Sequence, residues 1–234
     1  MRSIAPPRPT VFLFDIDGTL INSAGAGRRA MTRCFEERYG RADACAAISF
    51  GGMTDRAILR CGLGAIGVDA RTAVMDELLA IYLAILQDEM DRAEGCSVPR
   101  GVVPALDAIA ARGDVALGLG TGNIEEGARI KLRKVGLADR FSFGGYGSDH
   151  EDRPTLIGVG ADRGARLLAR PREACRVVVV GDTPKDIAAA RAIGAECIAV
   201  ATGGFTVEAL APHGATRVFR DLAEPGALAA LLDG

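Results

Sequence analysis

Two runs in this 234-residue chain are apolar at every position, "VFLF" at 11–14 and "VVVV" at 177–180, and each ends on acidic residues. A strand with one wet face alternates polar and apolar side chains. A strand with no polar position has to be covered on both faces, as in a parallel sheet held between two layers of helices. Parallel neighbours need crossover connections, and these follow from residue 102 onward. Helical and strand patterns alternate there: helix 102–112, strand 115–120, helix 123–136, a short strand near 141–143, helix 155–170, strand 176–181, helix 184–193 and strand 197–200.

The strand at 11–15 has no partner before residue 115. From about Ala24 to Glu94 the pattern is helical, with Val74, Leu78, Ile81, Tyr82, Ile85 and Leu86 on one stripe at helical spacing. Joining the first strand to the later sheet makes 22–98 an insertion. The expected architecture is therefore α/β: a Rossmann-like parallel sheet core with helices on both faces, formed by 1–21 and 99–234, and an inserted helical cap domain at 22–98.

Composition fits a globular protein, with 49% hydrophobic and 25% charged residues. A net charge of −2 leaves no basic footprint for nucleic acid. No apolar run approaches the ~20 residues a membrane helix needs, and "MRSIAPPRPT" lacks a signal-peptide core, so a cytoplasmic address with no membrane partner is expected. The six cysteines are scattered, without metal-ligand spacing, and read as reduced core thiols. Only Lys131, Lys134 and Lys185 are lysines among the 28 basic residues.

In an open parallel sheet, ligands bind beyond the carboxyl ends of the strands. The first run ends in Asp15, Asp17 and Gly18, the strand pattern at 115–120 in Thr121, Gly122 and Asn123, and the 177–180 run in Gly181, Asp182 and Thr183, with Asp186 one helical turn on. Close acids repel unless a cation or a shared proton offsets them, which points to a metal site or to paired nucleophile and acid/base chemistry. A hydroxyl and flexible backbone at a helix start suit an oxyanion. Bland readings stand beside these: an Asp-Gly turn for the first pair, a plain strand-to-helix turn at 121–123, and a helix-capping role for Asp186. A dinucleotide fingerprint fails, because the third glycine of G-x-G-x-x-G would fall on Asn123. Together the hard oxygen ligands and the anion pocket specify Mg²⁺ plus phosphate.

With "DIDGTL", the Thr121 strand end and "GDTPKD", the chain resembles the haloacid dehalogenase-like hydrolase superfamily, in the branch similar to phosphoglycolate phosphatase. The resemblance implies that Asp15 attacks the phosphoryl group to form an aspartyl-phosphate, and that Asp17 is the acid/base and lends its backbone carbonyl to the metal. It implies Mg²⁺ held by Asp15, Asp17, Asp182 and Asp186. It further implies transferring oxygens held by Thr121 and the Gly122 amide, with Gly18 and Asn123 on the substrate side.

One motif departs from the pattern. Where the family usually has a lysine, "SDHEDRPTL" carries Arg153, which could neutralise Asp15 and the phosphate, or could merely pair with Asp149 or Glu151 on a solvated loop. Lys185 is a fallback. His150 adjoins the segment, but without G-x-S-x-G a serine or cysteine triad has little support. In the insertion, the turn with Gly51, Gly52, Thr54, Asp55 and Arg56 is either the substrate-facing loop, Arg56 binding a second anionic group, or a helix cap at Thr54 or Asp55. The expected activity is a Mg²⁺-dependent phosphatase acting on a small phosphorylated metabolite of phosphoglycolate or sugar phosphate type, in a monomer or small homo-oligomer. The alternatives are a phosphomutase of the same fold and a non-catalytic, receiver-like phosphoacceptor.

Overall fold

The computed structural model describes residues 8–233. Six strands form one sheet in the order β3-β2-β1-β4-β5-β6, every pair parallel: β1 (Thr10–Phe14), β2 (Val115–Gly120), β3 (Gly144–Gly145), β4 (Arg176–Gly181), β5 (Glu196–Val200) and β6 (Arg217–Phe219). This is the Rossmann-like α/β class expected from the apolar runs. Strand β1 is wholly buried, and its alternate side chains serve two separate cores. Val11 and Leu13 pack with α6 (Arg153–Leu167) and α7 (Pro184–Ala192), while Phe12 and Phe14 join α4 (Val102–Ala110) and α5 (Glu125–Lys134) on the opposite face.

Chain direction across the sheet reverses at β1. After β2 and β3 are laid on one side, the chain crosses back to place β4 on the other. Register then fixes the heights: Phe14 pairs with Leu119 of β2 and Val180 of β4, so the residues that follow emerge side by side at one rim.

Between β1 and β2 lie α1 (Ala26–Tyr39), α2 (Asp55–Ala65) and α3 (Thr72–Arg92). An antiparallel bridge between Asn22 and Ser97 ties the segment's entry to its exit, with hydrogen bonds of 2.8 and 3.1 Å. The buried stripe of α3 is Met75, Leu78, Leu79, Tyr82, Ile85, Leu86 and Met90; Val74 and Ile81, expected on it, are only half-buried. Two short helices, α8 (Val207–Leu210) and α9 (Ala227–Leu232), complete the carboxyl-terminal part.

Two strand expectations need correction. The strand placed near 141–143 is Gly144–Gly145 instead, because a Cβ on Gly145 would stand 1.9 Å from the Leu156 carbonyl oxygen; only glycine lets α6 lie this close. Strand β6, three residues long, gave no sequence signal. All six cysteines are free; Cys34, Cys45, Cys175 and Cys197 are buried, but Cys61 is exposed and Cys96 half-buried. Among the described residues, no helix is long and apolar enough to cross a membrane.

Candidate active site

At the sheet rim, the Asp15 amide donates to the Val180 carbonyl at 2.8 Å, so the chain leaving β1 stays beside β4. That path brings Asp15, Asp182 and Asp186 together, each offering an oxygen, and these atoms all lie within 4.8 Å of one another. Asp182 is lodged against glycine. A Cβ on Gly18, whose φ is +81°, would come 2.4 Å from its Oδ2, and the Thr19 hydroxyl donates to its Oδ1 at 3.3 Å. Asp186 accepts from the Thr183 amide at 3.0 Å and hydroxyl at 2.7 Å, a capping box at the start of α7, and its other oxygen faces Arg153. The capping reading and the cluster reading thus hold for the same side chain, one per oxygen.

Arg153, buried at the first residue of α6, reaches Asp186 Oδ1 with Nη2 at 2.5 Å and Nε at 3.1 Å, and Asp15 Oδ2 at 3.1 Å. It pairs with neither Asp149 nor Glu151, which are taken by Arg163 and Arg60. One guanidinium does not balance three buried carboxylates. Burial, followed by Asp186 and Asp17, pushes Asp15 up to about 6 against the pull of Arg153, and burial with Asp186 and Asp15 pushes Asp182 up to about 9. Hard oxygen donors in a place that favours added positive charge fit a divalent cation such as Mg²⁺.

Asp17 belongs to a second network. Its Oδ2 accepts from Lys131 Nζ at 2.5 Å and from Asn123 Nδ2 at 2.9 Å, and its Oδ1 accepts from the Ser23 hydroxyl at 3.3 Å. Lys131 also donates to Asn123 Oδ1 at 2.6 Å, while Asn123 Nδ2 donates to the Thr121 hydroxyl oxygen at 2.9 Å. Burial raises the Asp17 carboxyl, but Lys131, Asn123 and Ser23 outweigh it and hold the group below the usual carboxylate range. Lys131 itself is 3% exposed and remains protonated, because Asp17 and Asp55 outweigh the cost of burying its charge. A Cβ on Gly27 would lie 3.2 Å from its Nζ, so the glycine opens room for the ammonium.

The loop before α2 closes over both networks. The Asp55 amide donates to the Gly122 carbonyl at 2.9 Å, and Asp55 Oδ2 accepts from the Ile124 amide at 2.9 Å. A side chain on Gly122 would collide with the Met53 carbonyl oxygen, 2.2 Å from an added Cβ. Thr54 is the cap of α2, accepting from the Ala57 amide at 3.2 Å, so the turn both caps the helix and docks the insertion on the sheet. Between them remains a cavity of about 220 Å³. Asp15, Asp17 and Lys131 line its floor, and Arg28, Phe50 and Ile58 line its roof.

Of the residues singled out in sequence, Asp15, Asp17, Gly122, Asn123, Arg153 and Asp182 meet on this wall. Thr121 is buried beside it through Asn123, Asp186 lies behind Arg153, and Gly18 sits under Asp182. Arg56 is not brought in; its guanidinium turns along the insertion to Asp76 at 3.3 Å. Lys185 packs outside, near Gly52, and His150 Nδ1 accepts from the Asp152 amide at 2.9 Å. Sequence reasoning missed Lys131, Arg28 and Asp55's contact with the core. Lys131 carried a signal: it falls three and four residues after Ala128 and Gly127 on the buried stripe of α5, where a charge is unusual.

A sheet with its strand order reversed at β1, acids from two strand ends and a helical segment inserted after the first define a Rossmann-like α/β protein with a site at its switch point. The chain belongs to the haloacid dehalogenase-like hydrolases, whose family model matches residues 12–200, and it falls in the branch that resembles phosphoglycolate phosphatase. A phosphoglycolate phosphatase from Rhodospirillum rubrum is 32% identical over 235 residues, spanning 93% of this chain and 90% of the relative. Among solved structures, CbbY from Rhodobacter sphaeroides in complex with phosphate shares the fold with a TM-score of 0.71 at 21% identity, over 97% of this chain and all of that one. A hydrolase from Pseudomonas syringae matches with a TM-score of 0.69 at 19% identity, over 96% of this chain and all of that one.

Proposed function

We propose that this hydrolase is a Mg²⁺-dependent phosphatase that cleaves a small phosphomonoester through a phosphorylated Asp15. The observation carrying this reading is the buried triad of Asp15, Asp182 and Asp186 set against Arg153, with Asp17 two residues on and facing the same cavity. The phosphoglycolate phosphatase relative supports a small acidic phosphate ester as the substrate type.

Asp15, Asp182 and Asp186, with the Asp17 backbone carbonyl, would hold Mg²⁺, which supplies positive charge between an anionic nucleophile and a phosphate dianion. An Asp15 oxygen attacks phosphorus and the bond to the ester oxygen breaks, leaving an aspartyl-phosphate. Asp17, ionised in the free site beside Lys131, takes up a proton as the phosphate dianion enters next to it, and gives that proton to the departing oxygen. It then removes a proton from the water that attacks phosphorus, which returns the Asp15 carboxylate and frees phosphate. Arg153 steadies the Asp15 oxygen not used in attack. Gly122, on the cavity wall, and Thr121, buried beside it, would offer donors to the transferring oxygens. Lys131 and Asn123 fix the direction of the Asp17 carboxyl, and the helical segment at 22–98 acts as the cap that excludes bulk water.

Phosphate release from 2-phosphoglycolate and a panel of sugar phosphates tests the reading. Continuous turnover that stops with a chelator and returns with Mg²⁺ is expected. One stoichiometric phosphorylation without turnover, or turnover indifferent to chelation, would overturn it.

A further inference from the structure

Most arginines of the insertion are spoken for. Arg29, Arg33, Arg38, Arg41, Arg56 and Arg60 each face a carboxylate within 3.6 Å. Arg28 differs: it lines the cavity roof and makes no ion pair among the described residues. It is nonetheless held in place. Its guanidinium carbon lies 3.9 Å from the centre of the Phe50 ring, and Nη2 donates to the Ile48 carbonyl at 2.9 Å. Stacking and one backbone contact orient the fork while leaving Nε and Nη1 without an acceptor among the described residues.

The rest of the roof offers an anion little. Phe50, Met31 and Ile58 are apolar, and Asp55 is engaged by the Ile124 amide. On the floor, Lys131 and Arg153 are committed to Asp17, Asp15 and Asp186. Arg28 is exposed, so its spare donors are open to water and to whatever enters the cavity: an oriented guanidinium without a counter-acid among the described residues, across from the floor carboxylates, is placed to meet an anion there.

Resting on the phosphatase reading above, we infer that Arg28, braced by Phe50, binds a second anionic group of the substrate, a carboxylate or a second phosphate carried a few atoms from the ester. A cavity of about 220 Å³ suits a short acyclic or small sugar-like connecting skeleton. Arg28 is then a specificity determinant, acting on the end of the substrate remote from the bond that breaks. That end fixes orientation, since an ester with a single phosphate could enter with its organic part at any angle.

The probe is 2-phosphoglycolate against its neutral amide, which differs only in the charge at the remote end. The readout is the ratio of kcat/KM for acid over amide in Mg²⁺. This ratio should fall about 30-fold in Arg28→Ala, matching the loss of one charge-assisted hydrogen-bonded contact. It should fall less in Arg28→Lys, and Phe50→Leu should lower it partway by freeing the guanidinium. A ratio in Arg28→Ala equal to that of the unaltered protein overturns the assignment. Calorimetric binding of the same two compounds to Asp15→Asn and to Asp15→Asn with Arg28→Ala separates the inference from the reading it rests on. If neither ester is hydrolysed but the acid's binding preference still depends on Arg28, the phosphatase reading falls and the subsite stands; if both are hydrolysed and the preference ignores Arg28, the reverse holds.

Discussion

The floor and the roof of the cavity are built by different means. On the floor, Asp15 and Asp182 follow directly from β1 and β4, and Thr121, buried beside them, from β2, so strand register alone sets their spacing, and two apolar cores hold that register. On the roof, Arg28, Phe50 and Asp55 come from a helix, a turn and a helix start, and reach the cavity only because the insertion docks on Gly122 and Ile124. Backbone hydrogen bonds of a buried sheet tolerate little sliding. A docked insertion rests on a few contacts and on glycines that allow close approach. The floor is therefore suited to chemistry common to many substrates, and the roof to features that distinguish one substrate from another.

If this division is right, damage to the floor should stop turnover with any substrate. Asp15→Asn exchanges one oxygen for nitrogen at a buried strand end, and should cut kcat by roughly three orders of magnitude or more while the circular dichroism spectrum stays unchanged. Retained turnover would remove Asp15 as nucleophile. Lys131→Met tests the joint between floor and roof. If Lys131 aims the Asp17 carboxyl at the departing oxygen, kcat/KM on an alkyl phosphate should drop roughly 100-fold, the usual scale of acid catalysis. The drop on p-nitrophenyl phosphate should be much smaller, because that leaving group departs without a proton. Equal losses on both esters would make Lys131 a structural cation only.

The same division explains what could be read from the chain. The fold was legible in the runs at 11–14 and 177–180, since four apolar residues in a row leave a strand only one kind of place. The floor followed, because acids at strand ends converge wherever the strands are neighbours. Arg153 was legible as a candidate, but its choice of Asp15 and Asp186 over Asp149 and Glu151 depends on α6 beginning at Arg153 under an Asp152 cap. The roof was not legible. Nothing local separates Arg28 from its neighbour Arg29, which turns to Glu89, or shows that Arg56 faces Asp76; helical phase and docking angle decide both. Lys131 falls between these cases, found by helical period once its burial is suspected.

A titration of stability probes the docking contact itself. Burial pushes Asp55 up to about 6 from an ordinary 3.8, against the pull of Lys131 and the Ile124 amide. A carboxyl raised in the folded state binds protons more tightly there than when unfolded. Its favourable contribution is complete below pH 4, and is lost as pH climbs through 6. A shift of about two units corresponds to about 3 kcal/mol as an upper figure. Asp55→Asn keeps an oxygen for the Ile124 amide but cannot ionise. Compared with the unaltered protein by urea denaturation in Mg²⁺, it should become relatively more stable as pH rises from 4 to 7, by up to that amount. A constant difference across the range would mean that Asp55 ionises without penalty and that the insertion docks by other contacts.

The smallest effect is expected where the roof turns outward. Arg56 and Asp76 form an ion pair at 3.3 Å with side chains 25% and 60% exposed, a geometry worth roughly 0.2–1 kcal/mol. Arg56→Ala should shift the melting temperature by no more than about 4 °C for a chain of this size. The acid-over-amide ratio that reports on Arg28 should stay within about twofold of its original value, since surface substitutions away from a site usually act within ~0.5 kcal/mol. Arg28 and Arg56 are both roof arginines of the same charge, and they differ only in which way their helices point them. A selectivity change in Arg56→Ala as large as in Arg28→Ala would show that α2 turns its first residues toward the substrate during turnover, so that the roof has a second seating in which Arg56 is the reader.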